Sequence, residues 1–96
     1  MKPRFTSRAH QDVDEAMGYY CKINRQLAAD FHTAVDAAAQ AIQSRPMACP
    51  RASTELRRYM MSHFPYGIFY QVRPMDIVVV AVIHAKRDPR VWRARE

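Results

Sequence analysis

Two stretches of the chain space their apolar residues three and four positions apart, as in helices with one buried face. This spacing predicts helices over residues 7–25 and 27–45 that form a helical hairpin. Ser7 is suited to cap the first helix, and Pro46 ends the second. The predicted buried positions are Ala9, Val13, Met17 and Tyr20, followed by Leu27, Phe31, Val35, Ala38 and Ile42.

Beyond residue 46 the apolar residues alternate with a period of two, which is typical of strands. The alternation predicts strands over 55–61 and 64–72, and a β-branched run that is apolar on both faces predicts a central strand over 77–85. A weaker alternation over 3–6 predicts a short opening strand. We therefore expect one α+β domain, with an N-terminal helical hairpin packed on a three- to four-stranded antiparallel sheet and a basic tail over 86–96.

Charge adds an expectation about partners. The chain carries 15 basic and 9 acidic residues, and nearly the whole excess lies in residues 51–96. Most of the basic residues are arginines, whose planar guanidinium group binds carboxylates and phosphates through two hydrogen bonds. An anionic partner is thus expected to meet the C-terminal half.

Other classes of protein are not indicated. The longest nearly apolar run, 77–83, is far shorter than a membrane-spanning helix, and the N-terminus leads into charged sequence rather than an apolar signal region. Cys21 and Cys49 have the spacing of neither a disulfide framework nor a zinc site, and His10, His32 and His63 have no ligand spacing. We expect a cytoplasmic protein with reduced thiols, no metal, no cofactor and no membrane contact.

Two segments are specific enough to indicate a family. Residues 64–72 read FPYGIFYQV, and residues 77–89 read IVVVAVIHAKRDP, followed by Trp92. Together they resemble the RelE/ParE superfamily, the toxins of bacterial type II toxin–antitoxin systems. The resemblance implies the α+β fold described above, the bacterial cytoplasm as location, and a cognate antitoxin as partner in a hetero-oligomer.

The superfamily has two branches with different chemistry. RelE-like toxins cleave mRNA on the ribosome without a metal, whereas ParE-like toxins bind and poison DNA gyrase. Gly67 stands where the ribonuclease branch has an arginine, and Trp92 stands where it often has a tyrosine. An indole can stack on a base but cannot transfer protons. The departures favour the ParE-like branch and a non-enzymatic gyrase inhibitor.

Two alternatives stay open. A metal-independent endoribonuclease would use Glu55, Arg57 or Arg58, His84 and Lys86, of which Lys86 falls near the tail arginine of that branch. The competing interpretation of His84 is a structural histidine bonded to the tail, for example to Asp88. A degenerate toxin that retains only antitoxin binding is the other alternative.

The resemblance also marks candidate residues for binding the target or the antitoxin. An antitoxin segment would lie along the hairpin and sheet, with apolar anchors in grooves and acidic groups beside arginines. A solvated basic tail without a partner is the competing interpretation. The candidates are Arg57, Arg58, Tyr66, Tyr70, Arg87, Arg90, Trp92 and Arg93.

Overall fold

The structure is a computed structural model that describes residues 2–96. A helical hairpin precedes most of the sheet, so the predicted α+β architecture is confirmed. The elements are β1 (Arg4–Phe5), α1 (Ser7–Ile23), α2 (Arg25–Ser44), β2 (Arg57–Met60), β3 (Tyr66–Val72), β4 (Ile77–His84) and α3 (Arg90–Arg93).

Side-chain caps define the helical hairpin. Thr6, rather than the predicted Ser7, caps α1, because its hydroxyl oxygen accepts a hydrogen bond from the Ala9 amide at 3.1 Å. Asn24 serves both helices: its amide donates to the Tyr20 carbonyl at 2.9 Å, and its Oδ1 accepts from the Gln26 amide at 2.7 Å. The turn between the helices is therefore a single residue, as the predicted bounds imply, but it lies at Asn24 rather than at position 26.

The sheet has the order β1-β4-β3-β2. The β2–β3 and β3–β4 pairs are antiparallel, but β1 pairs with β4 in parallel, so the sheet is mixed rather than wholly antiparallel. Antiparallel neighbours are commonly joined by a tight turn, whereas the hairpin and two strands separate β1 from β4 along the chain. That separation leaves β1 free to pair in either direction.

A β-bulge divides β4 into two parts. Phe69 pairs with Ala81 and Tyr70 with Val79, so Val80 is an extra residue on β4. The bulge reverses the alternation, and both Val79 and Val82 therefore pack on the helical side of the sheet.

Each face of the sheet carries its own core. The larger core lies against the hairpin and includes Phe31, Ile42 and Tyr70. The smaller core, on the outer face, comprises Leu56, Phe69, Ala81, Ile83 and Trp92. The predicted tail thus contains a short helix that covers the outer face of the sheet. Within residues 2–96, no helix has the length and apolar character needed to cross a lipid bilayer.

Candidate functional site

A cavity of about 540 Å³ opens on the outer face of the sheet, between β2, β3 and the segment that follows β4. We call it the basic groove, because its lining includes Arg51, Arg58, Arg87 and Arg93. Phe69 and Ile83 of the outer core also line the groove. The strand ends and α3 thus bring together arginines that are up to 42 positions apart in the sequence.

The alternation of β2 separates the two adjacent arginines. Arg58 is exposed and lines the groove, whereas Arg57 donates to the carbonyl oxygen of Cys49 at 2.6 Å and to that of Met47 at 3.3 Å. Arg57 therefore holds the loop after α2, and Arg58 is the member of the pair available to a ligand.

Gly67 provides the space in which Arg58 lies. A Cβ atom at position 67 would be 3.2 Å from Cδ of Arg58 and 3.3 Å from Sδ of Met60, closer than ordinary van der Waals contact. The missing side chain allows Arg58 to pass closely over β3. The position where the ribonuclease branch has an arginine is therefore covered by an arginine from the neighbouring strand.

The four arginines of the groove form no ion pair within the described part of the chain, residues 2–96. Arg51 donates to the Thr54 carbonyl at 2.9 Å, and the guanidinium carbon of Arg93 lies 5.2 Å from the centre of the Trp92 ring. No carboxylate is among the described residues that line the groove. The arrangement is suited to binding anions.

Arg90, another predicted binding residue, is engaged differently. Its guanidinium donates to Oδ2 of Asp88 at 2.6 and 3.0 Å, and these hydrogen bonds hold the pKa of the Asp88 carboxyl below its ordinary value. Asp88 is consequently not the partner of His84. Arg90 lies outside the groove lining, with its charge matched by its neighbour.

His84 lies at the end of β4 and lines the groove. Its Nδ1 accepts a hydrogen bond from the Lys86 amide at 3.0 Å, so a bond to the tail exists, although through the backbone of Lys86. The imidazole contacts the Tyr66 ring edge-on, with centroids 5.2 Å apart. Burial raises the pKa of the Tyr66 phenol, which belongs to an aromatic cluster with Tyr20 and Phe31.

The predicted ribonuclease set does not assemble. Glu55 accepts a hydrogen bond from Gln71 at 3.0 Å, whereas His84 pairs with Tyr66 at the opposite end of β3. Tyr66 and Gln71 are five positions apart along β3, a distance of roughly 17 Å. Lys86 is exposed but does not line the groove. Of the four residues proposed for RNA cleavage, the groove contains Arg58 and His84.

Two predicted binding residues are buried. The Tyr70 hydroxyl donates to the Pro46 carbonyl at 2.8 Å. The pKa of the Tyr70 phenol is raised, mainly by burial and to a smaller extent by the neighbouring Cys49 thiol. Trp92 is 6% exposed and stacks on Phe69 with the ring centres 4.6 Å apart. Neither side chain offers a surface to a partner, because each is used to hold a loop or a helix on the sheet.

A buried ion pair holds the end of the chain beside the groove. Asp12 of α1 accepts a hydrogen bond from the Val82 amide at 2.9 Å, and the guanidinium of Arg95 contacts both of its oxygens. Arg95 also donates to the carbonyl of the bulge residue Val80 at 3.2 Å. Sequence reasoning missed this pair because 83 positions separate its members.

Arg51 was missed for a similar reason. An isolated bridge between Arg51 and Arg57 brings the loop before β2 to the groove, and no periodicity in the sequence predicts such a bridge. The described residues offer no cluster of three His, Cys, Asp or Glu side chains that could hold a metal ion. The chemistry available in the groove is that of guanidinium groups and one imidazole.

Comparison with known proteins identifies the family. The model for the ParE toxin of type II toxin–antitoxin systems matches residues 4–89. A chain of the chromosomal ParDE toxin–antitoxin system from P. aeruginosa has the same fold, with a TM-score of 0.78 and 16% identity, over 88% of this chain and 95% of that one. No curated protein sequence matches. The resemblance to the RelE/ParE superfamily and its ParE-like branch is confirmed, and the chain belongs to the ParE family of type II toxin–antitoxin toxins.

Proposed function

We propose that this toxin inhibits DNA gyrase by binding it, and that a cognate antitoxin neutralises the toxin by forming a complex with it. Membership of the ParE family supports both statements. The observation that carries the proposal is the composition of the basic groove, which gathers four arginines and contains no carboxylate among its described lining. We infer a surface for binding rather than for catalysis, acting without a metal or cofactor.

Metal-free RNA cleavage has chemical requirements that the groove meets only in part. A group must deprotonate the 2′-hydroxyl, another must protonate the leaving oxygen, and cations must stabilise the charge of the transition state. The groove has cations and His84, but Glu55 lies at the far end of β3. His84 therefore has no second group in the groove with which to share the proton transfers, and the arginines alone can bind an anion without cleaving it.

Two assays with the purified protein test this proposal. We expect the toxin to inhibit supercoiling by gyrase and to leave ribosome-bound mRNA intact. Cleavage of the mRNA with unimpaired supercoiling would overturn the proposal. Growth arrest on expression without antitoxin, relieved by co-expression, is expected as well; unimpaired growth would instead favour a degenerate toxin that only binds its antitoxin.

A ribosome-dependent ribonuclease is the second candidate, because Arg58 and His84 line the same groove. The variant His84→Ala separates the two candidates. His84 is only partly buried, so we expect the variant to fold. If the protein is a ribonuclease, the variant should lose its toxicity. If the protein is a gyrase inhibitor, we expect the variant to keep most of its toxicity. Loss of toxicity with an unchanged circular dichroism spectrum would favour the ribonuclease.

A further inference from the structure

The basic groove brings four guanidinium groups to one cavity, with no carboxylate among its described lining. Arg58, Arg87 and Arg93 are exposed and enter no ion pair described among residues 2–96. Arg51 uses one of its five N–H donors on the Thr54 carbonyl. Like charges that share a cavity repel one another, so an anion that bridges the arginines would remove an unfavourable interaction.

The size of the groove is that of a small-molecule site. Its volume of about 540 Å³ falls within the range of roughly 300 to 1,000 Å³ that is usual for such sites. The arginines come from the loop before β2, from β2 itself and from the segment after β4. A small anion in the cavity can therefore be contacted by guanidinium groups from three separate parts of the chain.

The aromatic rings at the groove are turned inward. Trp92 is stacked on Phe69 with the planes 16° apart, and the Arg93 guanidinium lies over its ring. The His84 imidazole packs edge-on against Tyr66. Nucleobases are commonly held by stacking on an accessible ring. The groove thus offers cations to phosphates and no stacking surface to a base.

From these features we propose that the basic groove is a binding site for a linear oligophosphate, a small anion of about three linked phosphates. A guanidinium group binds a phosphate through two parallel hydrogen bonds, and the three exposed arginines match three phosphates. Inorganic tripolyphosphate and the triphosphate of a nucleotide share this chemistry, and the inward-facing rings favour the inorganic ion. The proposed function concerns a protein target, and this ligand goes beyond it.

Isothermal titration calorimetry with the full chain tests the site. The probes are tripolyphosphate, orthophosphate, adenosine triphosphate and a short deoxythymidine oligonucleotide. The buffer contains no magnesium, because Mg²⁺ would compete with the arginines for the phosphate oxygens.

We expect tripolyphosphate to bind, more weakly at high salt, and about tenfold or more tighter than orthophosphate, which can engage fewer arginines at once. A stacked base would add about 1 kcal/mol or more, which is roughly fivefold in affinity. Adenosine triphosphate is therefore expected to bind no more than about fivefold tighter than tripolyphosphate.

A pair of double variants locates the bound ion. In Arg58→Gln/Arg93→Gln the affinity for tripolyphosphate is expected to fall about tenfold or more, since each lost guanidinium removes charge-assisted hydrogen bonds. The matched control, Arg25→Gln/Arg45→Gln, removes the same charge from exposed residues outside the groove. It is expected to change the affinity less than about twofold.

Several results would overturn the proposal. No binding of tripolyphosphate in the millimolar range would do so, as would equal binding of orthophosphate. Tighter binding of the oligonucleotide, or adenosine triphosphate exceeding the fivefold limit, would show that bases are recognised. An equal loss in both double variants would show a general effect of charge.

These titrations use the toxin alone and are independent of the gyrase assay. A toxin that binds tripolyphosphate but leaves gyrase active would refute the proposed function and keep the oligophosphate site. A toxin that inhibits gyrase but does not bind tripolyphosphate would refute the site alone.

Discussion

Among the individual residues that the structure describes, Asp12 is the one charged residue that is buried. It is 6% exposed, and its carboxylate joins α1 to the Val82 amide and to the Arg95 guanidinium. The Val82 amide lies beyond the end of β1, which pairs with β4 only at Val78 and Val79. Asp12 therefore replaces a missing strand partner and pairs with a partly buried arginine at the same time.

Replacing Asp12 by Ala leaves the largely buried Arg95 guanidinium without its carboxylate partner. We expect Asp12→Ala to lower the free energy of unfolding by about 3 kcal/mol, measured by urea denaturation. Asp14, exposed on the same helix, provides the control, and Asp14→Ala is expected to cost less than about 0.5 kcal/mol. Equal costs for the two variants would show that the buried ion pair contributes nothing specific.

Tyr70 leads to a prediction about pH. Burial raises the pKa of its phenol above the ordinary value of 10.0. Below pH 10 the Tyr70 phenol is protonated in both the folded and the unfolded chain, so the stabilisation that Tyr70 provides is fully present. Above pH 10 the unfolded chain loses the proton first, and the free energy of unfolding falls as the pH rises.

The variant Tyr70→Phe is expected to be about 1 kcal/mol less stable at pH 7, since it lacks the hydrogen bond to Pro46. Its stability should fall less between pH 9 and pH 11 than that of the unaltered protein. Urea denaturation at each pH measures the difference, with Tyr19→Phe as the exposed control. If the two variants lose stability equally over this range, Tyr70 is not the group responsible.

At the scale of the elements, the predictable part of the fold followed from periodicity. The three- and four-residue spacing of apolar residues such as Phe31 and Val35 predicted α2. The period-two alternation through Ile68 and Tyr70 predicted β3. The bulge at Val80 was not predictable, because a run that is apolar on both faces has no alternation in which a shift is visible. The parallel pairing of β1 also has no local signal.

The short helix α3 was hidden by its charged neighbours. Its buried member, Trp92, is surrounded in the sequence by Arg90, Arg93 and Arg95, so residues 86–96 looked like an exposed basic segment. In the structure the indole covers the outer core, and Arg95 reaches Asp12. One aromatic residue in a charged run carries too little periodicity to predict burial.

The variant Trp92→Ala tests how strongly α3 is held. Removing a stacked, buried indole is expected to lower the free energy of unfolding by about 3 kcal/mol or more. Urea denaturation monitored by circular dichroism measures this change. Met75→Ala truncates an apolar side chain that is 83% exposed and should change stability by less than about 0.5 kcal/mol. A small effect of Trp92→Ala would mean that α3 contributes little to the outer core.

At the scale of the whole molecule, both cores are packed on the two central strands, β3 and β4. Loss of the sheet would remove the surface on which either core is packed, so we expect the protein to unfold as one unit. The single tryptophan, Trp92, reports on the outer core, and circular dichroism reports mainly on the hairpin. The two signals should give the same urea midpoint. A lower midpoint by fluorescence would indicate that α3 detaches first.

The candidate site combines predictable and unpredictable contributions. Arg58, Arg87 and Arg93 were marked from the sequence, and alternation required that Arg57 and Arg58 point in opposite directions. Which of the two faces outward depends on the register of β2 against β3, and the position of Arg51 depends on a loop. These features are set by tertiary contacts, so a sequence pattern alone could not provide them.

The absence of carboxylates from the described lining of the basic groove also has a kinetic consequence. A concave surface of one sign of charge attracts an oppositely charged molecule before contact, and raises the frequency of productive encounters by about ten- to a thousandfold. The association rate constant of an acidic partner should therefore depend steeply on ionic strength, while dissociation depends mainly on the short-range contacts. The arginines of the groove would thus govern how quickly a complex forms as well as how tightly it holds.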